Sequence, residues 1–123
     1  MKITKFEDID AWKAARVLNR QIIEVTRAPS FGEDWDLRRQ IRRAAGSGMA
    51  NIAEGFDGGS DKEFRRFLRI ARRSITELQS HLYAALDLHY VSQKGFDALY
   101  EQCLKVKSLI GGFIRYLDGR EKV

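Results

Sequence analysis

The sequence predicts an all-α protein built as an antiparallel up-and-down four-helix bundle, and three observations carry that prediction. Apolar residues recur three and four apart through four long stretches. No window alternates with period two over enough residues to make a strand. The stretches are separated by short connections marked by Pro29, the Gly58-Gly59 pair and Ser92, so consecutive helices run antiparallel.

The first helix has two candidate caps, Asp8 and the Thr4-Lys5-Phe6-Glu7 capping box. Its rhythm is clear from Ile9 and runs to about Arg27, with Ala11, Trp12, Ala15, Leu18, Ile22 and Val25 on one face. Pro29 ends it. Residues 28–36 read as a loop whose two aromatics, Phe31 and Trp35, fold back over an open end of the core. A second helix follows over about 37–54, with Leu37, Ile41, Ala44, Gly48 and Ile52 inward and Gly55 placed as a left-handed C-terminal cap. Its middle, residues 44–53, is rich in small residues. Two glycines inside a helix cost about 1 kcal/mol each relative to alanine, which implies either a neighbour that needs close backbone approach or a break at Gly46 to Gly48.

Ser60-Asp61-Lys62-Glu63 is another capping box, and it opens the longest helix, whose inner face of Phe64, Phe67, Leu68, Ala71, Ile75, Leu78, Leu82 and Ala85 persists to about Leu88. Ser92 caps the fourth helix, with Phe96, Leu99, Cys103, Val106, Ile110, Phe113 and Leu117 inward. Cys103 therefore reads as a small core residue rather than a nucleophile.

Composition bounds the function. A chain of 123 residues, 44% hydrophobic and 32% charged, predicts one domain over residues 1–123 and excludes disorder. No apolar run approaches ~18 residues, so no membrane span is expected. The lone cysteine and the absence of a charged-then-apolar leader point to a reducing cytoplasm. The net charge of +5 is local: residues 36–73 hold ten basic and five acidic side chains, and the remainder holds twelve of each.

Arginine supplies that excess. On the third helix Arg65, Arg66, Arg69, Arg72 and Arg73 fall within a sector of roughly 120° opposite the core, by the ~100° per residue of an α-helix. Lys62 joins them. The second helix adds Arg38, Arg39 and Arg42, and side-by-side packing of the hairpin would merge both sets into one patch. Such a patch is the footprint of a nucleic-acid backbone binder; a solvated helix face is the plain alternative. Because Phe64 and Phe67 point into the core, the patch offers no stacking platform, and sequence-independent contact with RNA or DNA phosphates is the most it supports.

Two further constellations are structural in character. Gln40, Arg43, Ser47, Asn51 and Glu54 line up beside the core face of the second helix as a polar stripe whose members would satisfy one another. Ile70, Glu77, His81 and Leu88 form a second seam on the third helix, away from its core face. A second buried side requires another copy of the chain, so self-association is expected.

Catalytic and metal chemistry have no candidates. A di-metal bundle site needs inward Glu-x-x-His pairs, whereas this chain has only His81 and His89, and Glu77 stands four residues before His81. Residues 57–61 lack both the lysine of a phosphate loop and the alternating acids and bidentate Glu of a calcium loop. No cofactor and no enzymatic activity are expected.

Phe6, Trp12, Ala15, Leu18 and Pro29, then Leu37-x-x-Gln40-x-Arg42-Arg43-Ala44-Ala45-x-Ser47, Asn51-Ile52-Ala53-Glu54-Gly55, and Glu63-Phe64-x-x-Phe67-Leu68-x-Ile70-Ala71-x-x-Ser74-x-x-Glu77-Leu78 together carry a resemblance. The chain resembles, over nearly its whole length, the four-helix bundle proteins encoded in intervening sequences of bacterial 23S ribosomal RNA genes. That resemblance implies a four-helix protomer, a ring of five subunits, no enzymatic activity, and kinship with the accessory proteins of diversity-generating retroelements, which work with a reverse transcriptase and nucleic acid. Arg43, Asn51, Glu54 and Glu77 match the family's recurrent polar positions. Two departures stand out: glycines at 46 and 48 where the family has β-branched residues, and Arg73 where it has a glycine, which bears on how closely the third helix approaches its neighbour. The expected function is a self-assembling bundle, pentameric by that resemblance, that binds RNA or DNA backbone; the alternative is a protein-binding scaffold without nucleic acid.

Overall fold

The computed structural model describes residues 2–121, and among them the chain forms four α-helices and no strand. Helix α1 spans Asp10–Thr26, α2 Trp35–Asp57, α3 Asp61–Asp87 and α4 Gln93–Glu121. Helices α2 and α3 each pack on both of their sequence neighbours, and α4 closes the bundle against α1. At one end the loops before α2 and after α3 meet: the Ser30 hydroxyl donates to the Tyr90 carbonyl (2.7 Å) and the Tyr90 hydroxyl to Asp34 (2.9 Å). At the other end stands the α2–α3 hairpin, where Arg120 pairs with Asp61 at 3.3 Å and the rings of Phe64 and Phe113 lie 5.0 Å apart.

The caps set the helix boundaries. Ser60 and Ser92 accept from the backbone N–H groups of Glu63 (3.1 Å) and Gly95 (3.0 Å), as the sequence predicts. The Thr4 box is not used: a single 3-10 turn, Phe6–Asp8, precedes α1, and neither Lys5 nor Ile9 caps through its side chain. Helix α2 starts before residue 37 because Asp34 is its cap, accepting from Leu37 N at 3.1 Å. Phe31 alone closes that end of the core, while Trp35 becomes the first helical residue and stays in solvent.

Gly55 is not a cap. Helix α2 runs two residues past it, and the reversal is made at Gly59, whose φ is +92°. Gly55 is instead buried where α2 and α3 touch: a Cβ built there would lie 2.5 Å from Phe67 Cβ. Gly48 serves the same approach, with Ile75 Cδ1 2.5 Å from its virtual Cβ, and α2 passes through residues 46–48 unbroken. Arg73 does not hinder this approach, because its side chain faces solvent one position away from buried Ser74.

The core is the apolar stripe read from each helix, including Leu18, Ile41, Leu68, Ile75 and Ile110. On α4, Ile114 is buried where the sequence predicts Phe113, and Phe113 is half-buried. Burial pushes the Cys103 thiol up to about 12, against a smaller opposing effect of the Lys107 charge, so it stays protonated at neutral pH. Helix α3 ends on His89, held left-handed at φ +64° while Tyr90 N closes on the Ala85 carbonyl at 2.8 Å.

Candidate nucleic-acid interface

Antiparallel pairing fixes where each polar group lies. Ser47 faces Ser74, Arg43 faces Glu77 and Gly55 faces Phe67, so the first third of α2 lies alongside the last third of α3. The arginines of α2 and those of α3 are therefore centred roughly 15–20 Å apart along the bundle axis, at ~1.5 Å per residue. They form two groups rather than the single patch expected from side-by-side packing.

The α3 group is smaller than its sequence. Arg65 is only 6% exposed: it reaches across to α4, where Nη1 donates to the Leu117 carbonyl (3.4 Å) and Nε pairs with Asp118 (3.5 Å). It belongs to the fold, because it shares the α4 flank of α3 with Arg72 and buried Gln79, seven and fourteen residues on. Arg66 pairs with Glu63 at 2.6 Å and lies over the Phe67 ring at 4.7 Å. Arg72 is half-buried. Lys62, Arg69 and Arg73 are exposed, and among the described residues none of the three meets an acidic partner.

The α2 group holds Arg38, Arg39, Arg42 and Arg43, which line one shallow surface together with Trp35. Arg38 Nη2 donates to the Gly32 carbonyl (3.1 Å), and its guanidinium lies 4.4 Å from the Trp35 ring centroid. Arg42 Nε donates to Thr26 Oγ1 at 2.8 Å. Arg39 is exposed and unpaired among the described residues. Trp35 is 60% exposed. A stacking surface thus exists beside arginines, not from Phe64 or Phe67 but from a residue that the sequence places in a core-covering loop. The spacing carries a signal for it: Trp35 stands three, four, seven and eight residues before these arginines, on one helical stripe.

The polar stripe divides. Asn51 Nδ2 donates to the Ser47 carbonyl (2.8 Å) and hydroxyl (3.1 Å), and the Ser47 and Ser74 hydroxyls share a bond of 3.0 Å. Arg43 pairs across the helices with Glu77 (3.2 Å), which also meets His81 Nε2 at 3.2 Å. Gln40 and Glu54 stand outside the network: Gln40 donates to Asp36 (2.8 Å), and Glu54 is exposed. The partners of the stripe come from α3 rather than from α2 itself.

This pairing also breaks the expected seam on α3. Glu77 and His81 are engaged within the protomer, because offsets of seven and eleven from half-buried Ile70 lead along the α2 flank instead of away from the bundle. Leu88 lies beyond the helix as its exposed C-cap. A different apolar surface is open between α3 and α4, where exposed Tyr83 and Leu104 border a groove with Phe96 and Tyr100, rimmed by Asp97 and Glu101.

Among the described residues, no three His, Cys, Asp or Glu side chains gather to hold a metal, and no helix is long and apolar enough to cross a membrane.

Residues 7–112 match the family model described as 23S rRNA-intervening sequence protein. Among solved structures, the fold is similar to a protein of unknown function from the S23 ribosomal protein family of Bacteroides thetaiotaomicron VPI-5482, with a TM-score of 0.76 at 18% identity over 85% of this chain and 95% of that one. No curated protein matches the sequence.

Proposed function

Since the chain belongs to the 23S rRNA-intervening sequence protein family, whose description gives no activity, we propose from its surface chemistry that it is a non-enzymatic, self-assembling cytoplasmic bundle that binds the phosphate backbone of RNA or DNA. The single observation behind this reading is the cluster of Lys62, Arg69 and Arg73, exposed on α3 without acidic partners among the described residues. Like charges held this close repel one another unless an anion is drawn to them, and a polyanionic strand supplies anions at regular spacing.

Oligonucleotide binding measured against salt tests it. The slope of log K against log salt for a single strand should be about −0.7 per phosphate neutralised. Reversing Lys62, Arg69 and Arg73 to Glu should flatten that slope and weaken unrelated sequences equally, while Lys94→Glu with Lys105→Glu does much less. Arg65 is left unchanged, because its reversal would strike the α3–α4 contact and not the surface. Absence of oligonucleotide binding at low salt refutes the reading.

Assembly is the second part of the proposal, and a homopentamer is the form the family resemblance suggests. Its support is the apolar groove beside Tyr83 and Leu104, together with exposed Leu88. Light scattering should give a mass of several protomers, and Leu88→Arg with Leu104→Arg should lower it while helix content stays unchanged. A monomer in the wild type at micromolar concentration refutes self-assembly. A scaffold without nucleic acid predicts the opposite pair of results: negligible oligonucleotide binding, and a protein partner that no longer binds once the α3 cluster is reversed. A reverse transcriptase, if it is that partner, would behave in this way.

A further inference from the structure

We infer that Trp35 is a base-stacking platform, so that the loop end of the bundle takes an unpaired base of a single-stranded nucleic acid while the neighbouring arginines hold its backbone. The inference rests on the phosphate-binding reading above and adds strand type to it. Three observations carry it. Trp35 is 60% exposed on the first turn of α2, although a side chain of this size ordinarily buries most of its apolar surface. Trp12, the other tryptophan of the chain, is packed edge-on against Phe6 at 5.0 Å and half-buried. Solvent exposure is thus particular to Trp35.

The second observation is the guanidinium of Arg38, 4.4 Å from the Trp35 ring centroid and tied to the Gly32 carbonyl. Indole and guanidinium are both planar groups on which bases stack, and here the guanidinium already lies over the indole ring, so one neighbour of the platform is in place before a base adds to it. The Arg38 Nε hydrogen is buried without an acceptor, so hydrogen bonding alone does not account for this placement.

Spacing is the third. Trp35, Arg38, Arg39, Arg42 and Arg43 line one surface over ~12 Å of helix, the length of three to four stacked nucleotides at ~3.4 Å each. Arg39 is free for a phosphate among the described residues, and Arg42 uses only its Nε on Thr26. The nearby acids are partly engaged: Asp34 accepts from Leu37 N and Tyr90, Asp36 from Gln40, and Glu77 from Arg43, while Glu33 and Asp36 remain exposed carboxylates at the start of α2. A strand would run from Trp35 toward Arg42, away from Glu33. A duplex keeps its bases stacked inside and cannot use the indole face.

The test compares an octathymidylate, an abasic strand of equal length and a blunt-ended duplex without unpaired bases on the full chain. Trp35→Ala should weaken the octathymidylate about tenfold or more, as loss of one stacked base does, and leave the abasic strand and the duplex unchanged. Trp35→Phe should restore most of the affinity. In a Trp12→Phe background, octathymidylate should quench Trp35 emission and the abasic strand should not. Equal binding of all three probes by wild type and Trp35→Ala overturns the inference and leaves the phosphate-binding reading standing, whereas no binding of any probe at low salt removes that reading as well. Loss of assembly mass in Trp35→Ala with octathymidylate affinity unchanged also overturns it, by placing Trp35 in a subunit interface.

Discussion

Helix α3 is packed differently on its two flanks. Toward α2 the neighbour is stripped to backbone at Gly48 and Gly55, and the polar groups at the covered part of the contact are short, Ser47, Ser74 and the Asn51 amide, with the long Arg43–Glu77 pair only at its exposed edge. Toward α4 the contact is made by long side chains, with Arg65 reaching Leu117 O and Asp118, Lys107 donating to buried Gln79 at 3.0 Å, and Tyr83, Phe96 and Tyr100 in mutual ring contact. The first flank depends on absent atoms and tolerates no addition; the second depends on reach and tolerates no truncation. The same difference assigns the arginines, since a long cation beside α4 is drawn inward and one facing neither neighbour stays in water.

Adding one methyl to the close flank should have the largest effect. In Gly55→Ala the new Cβ would lie 2.5 Å from Phe67 Cβ and 3.1 Å from Phe64 Cδ1. Phe67 Cβ is fixed to its backbone and no rotamer moves it away, so the helices must part. Overpacking of this kind costs about 3 kcal/mol at the upper end of its usual range. Urea unfolding should show the loss, and a stability equal to wild type would mean that α2 and α3 are not in close contact there.

Truncation tests the other flank. Arg65→Ala removes a buried stem and leaves the Leu117 carbonyl and Asp118 without this partner, at roughly 1–3 kcal/mol given that Asp118 keeps part of its hydration. Arg69→Ala, one turn along the same helix, should fall within about 0.5 kcal/mol of wild type, as exposed substitutions do. Equal losses in the two variants would erase the distinction between an arginine of the fold and one of the surface.

That pair also marks how far sequence reading reaches. Four helices, the Ser60 and Ser92 caps and the apolar stripes are legible because period and capping are local properties. Of the two glycines that imply a close neighbour, Gly48 has one and Gly46 does not, and Gly55 reads as a terminus, since a buried glycine and a capping one look alike until the partner helix is placed. Arg65 looks exposed because its angle lies at the edge of the outward sector, and its guanidinium crosses to a residue 53 positions later. The arginines of α2 and α3 separate for a similar reason: composition counts charges, whereas antiparallel register decides which of them are level. Trp35 changes place through a single capping choice, Asp34 instead of a later start.

Gly46→Ala sharpens the first contrast by reversing its sign. Its virtual Cβ meets nothing closer than Asn19 Oδ1 at 4.0 Å, so the substitution gains helix propensity without a clash and should raise stability by about 1 kcal/mol. Gly48→Ala lies between the two, because the atom it meets is the δ-methyl of buried Ile75, which can give way only by disturbing the core.

The smallest effect belongs to the outer edge of the α2 flank, where Arg43 pairs with Glu77 at 3.2 Å with 69% and 43% of the two side chains exposed. Water screens the pair and holding two long side chains costs entropy, so a double-mutant cycle of Arg43→Ala with Glu77→Ala should give a coupling of about 0.2–1 kcal/mol. The coupling should fall further at high salt, as that of an exposed pair does. The corresponding cycle of Arg43 with Glu54, eleven residues further along the α2 stripe, should give none, since Glu54 stands outside the network. A coupling above ~2 kcal/mol for Arg43 and Glu77 would mean that this surface is covered in solution, by a second copy or another partner, and would move the boundary between fold and surface outward by one turn.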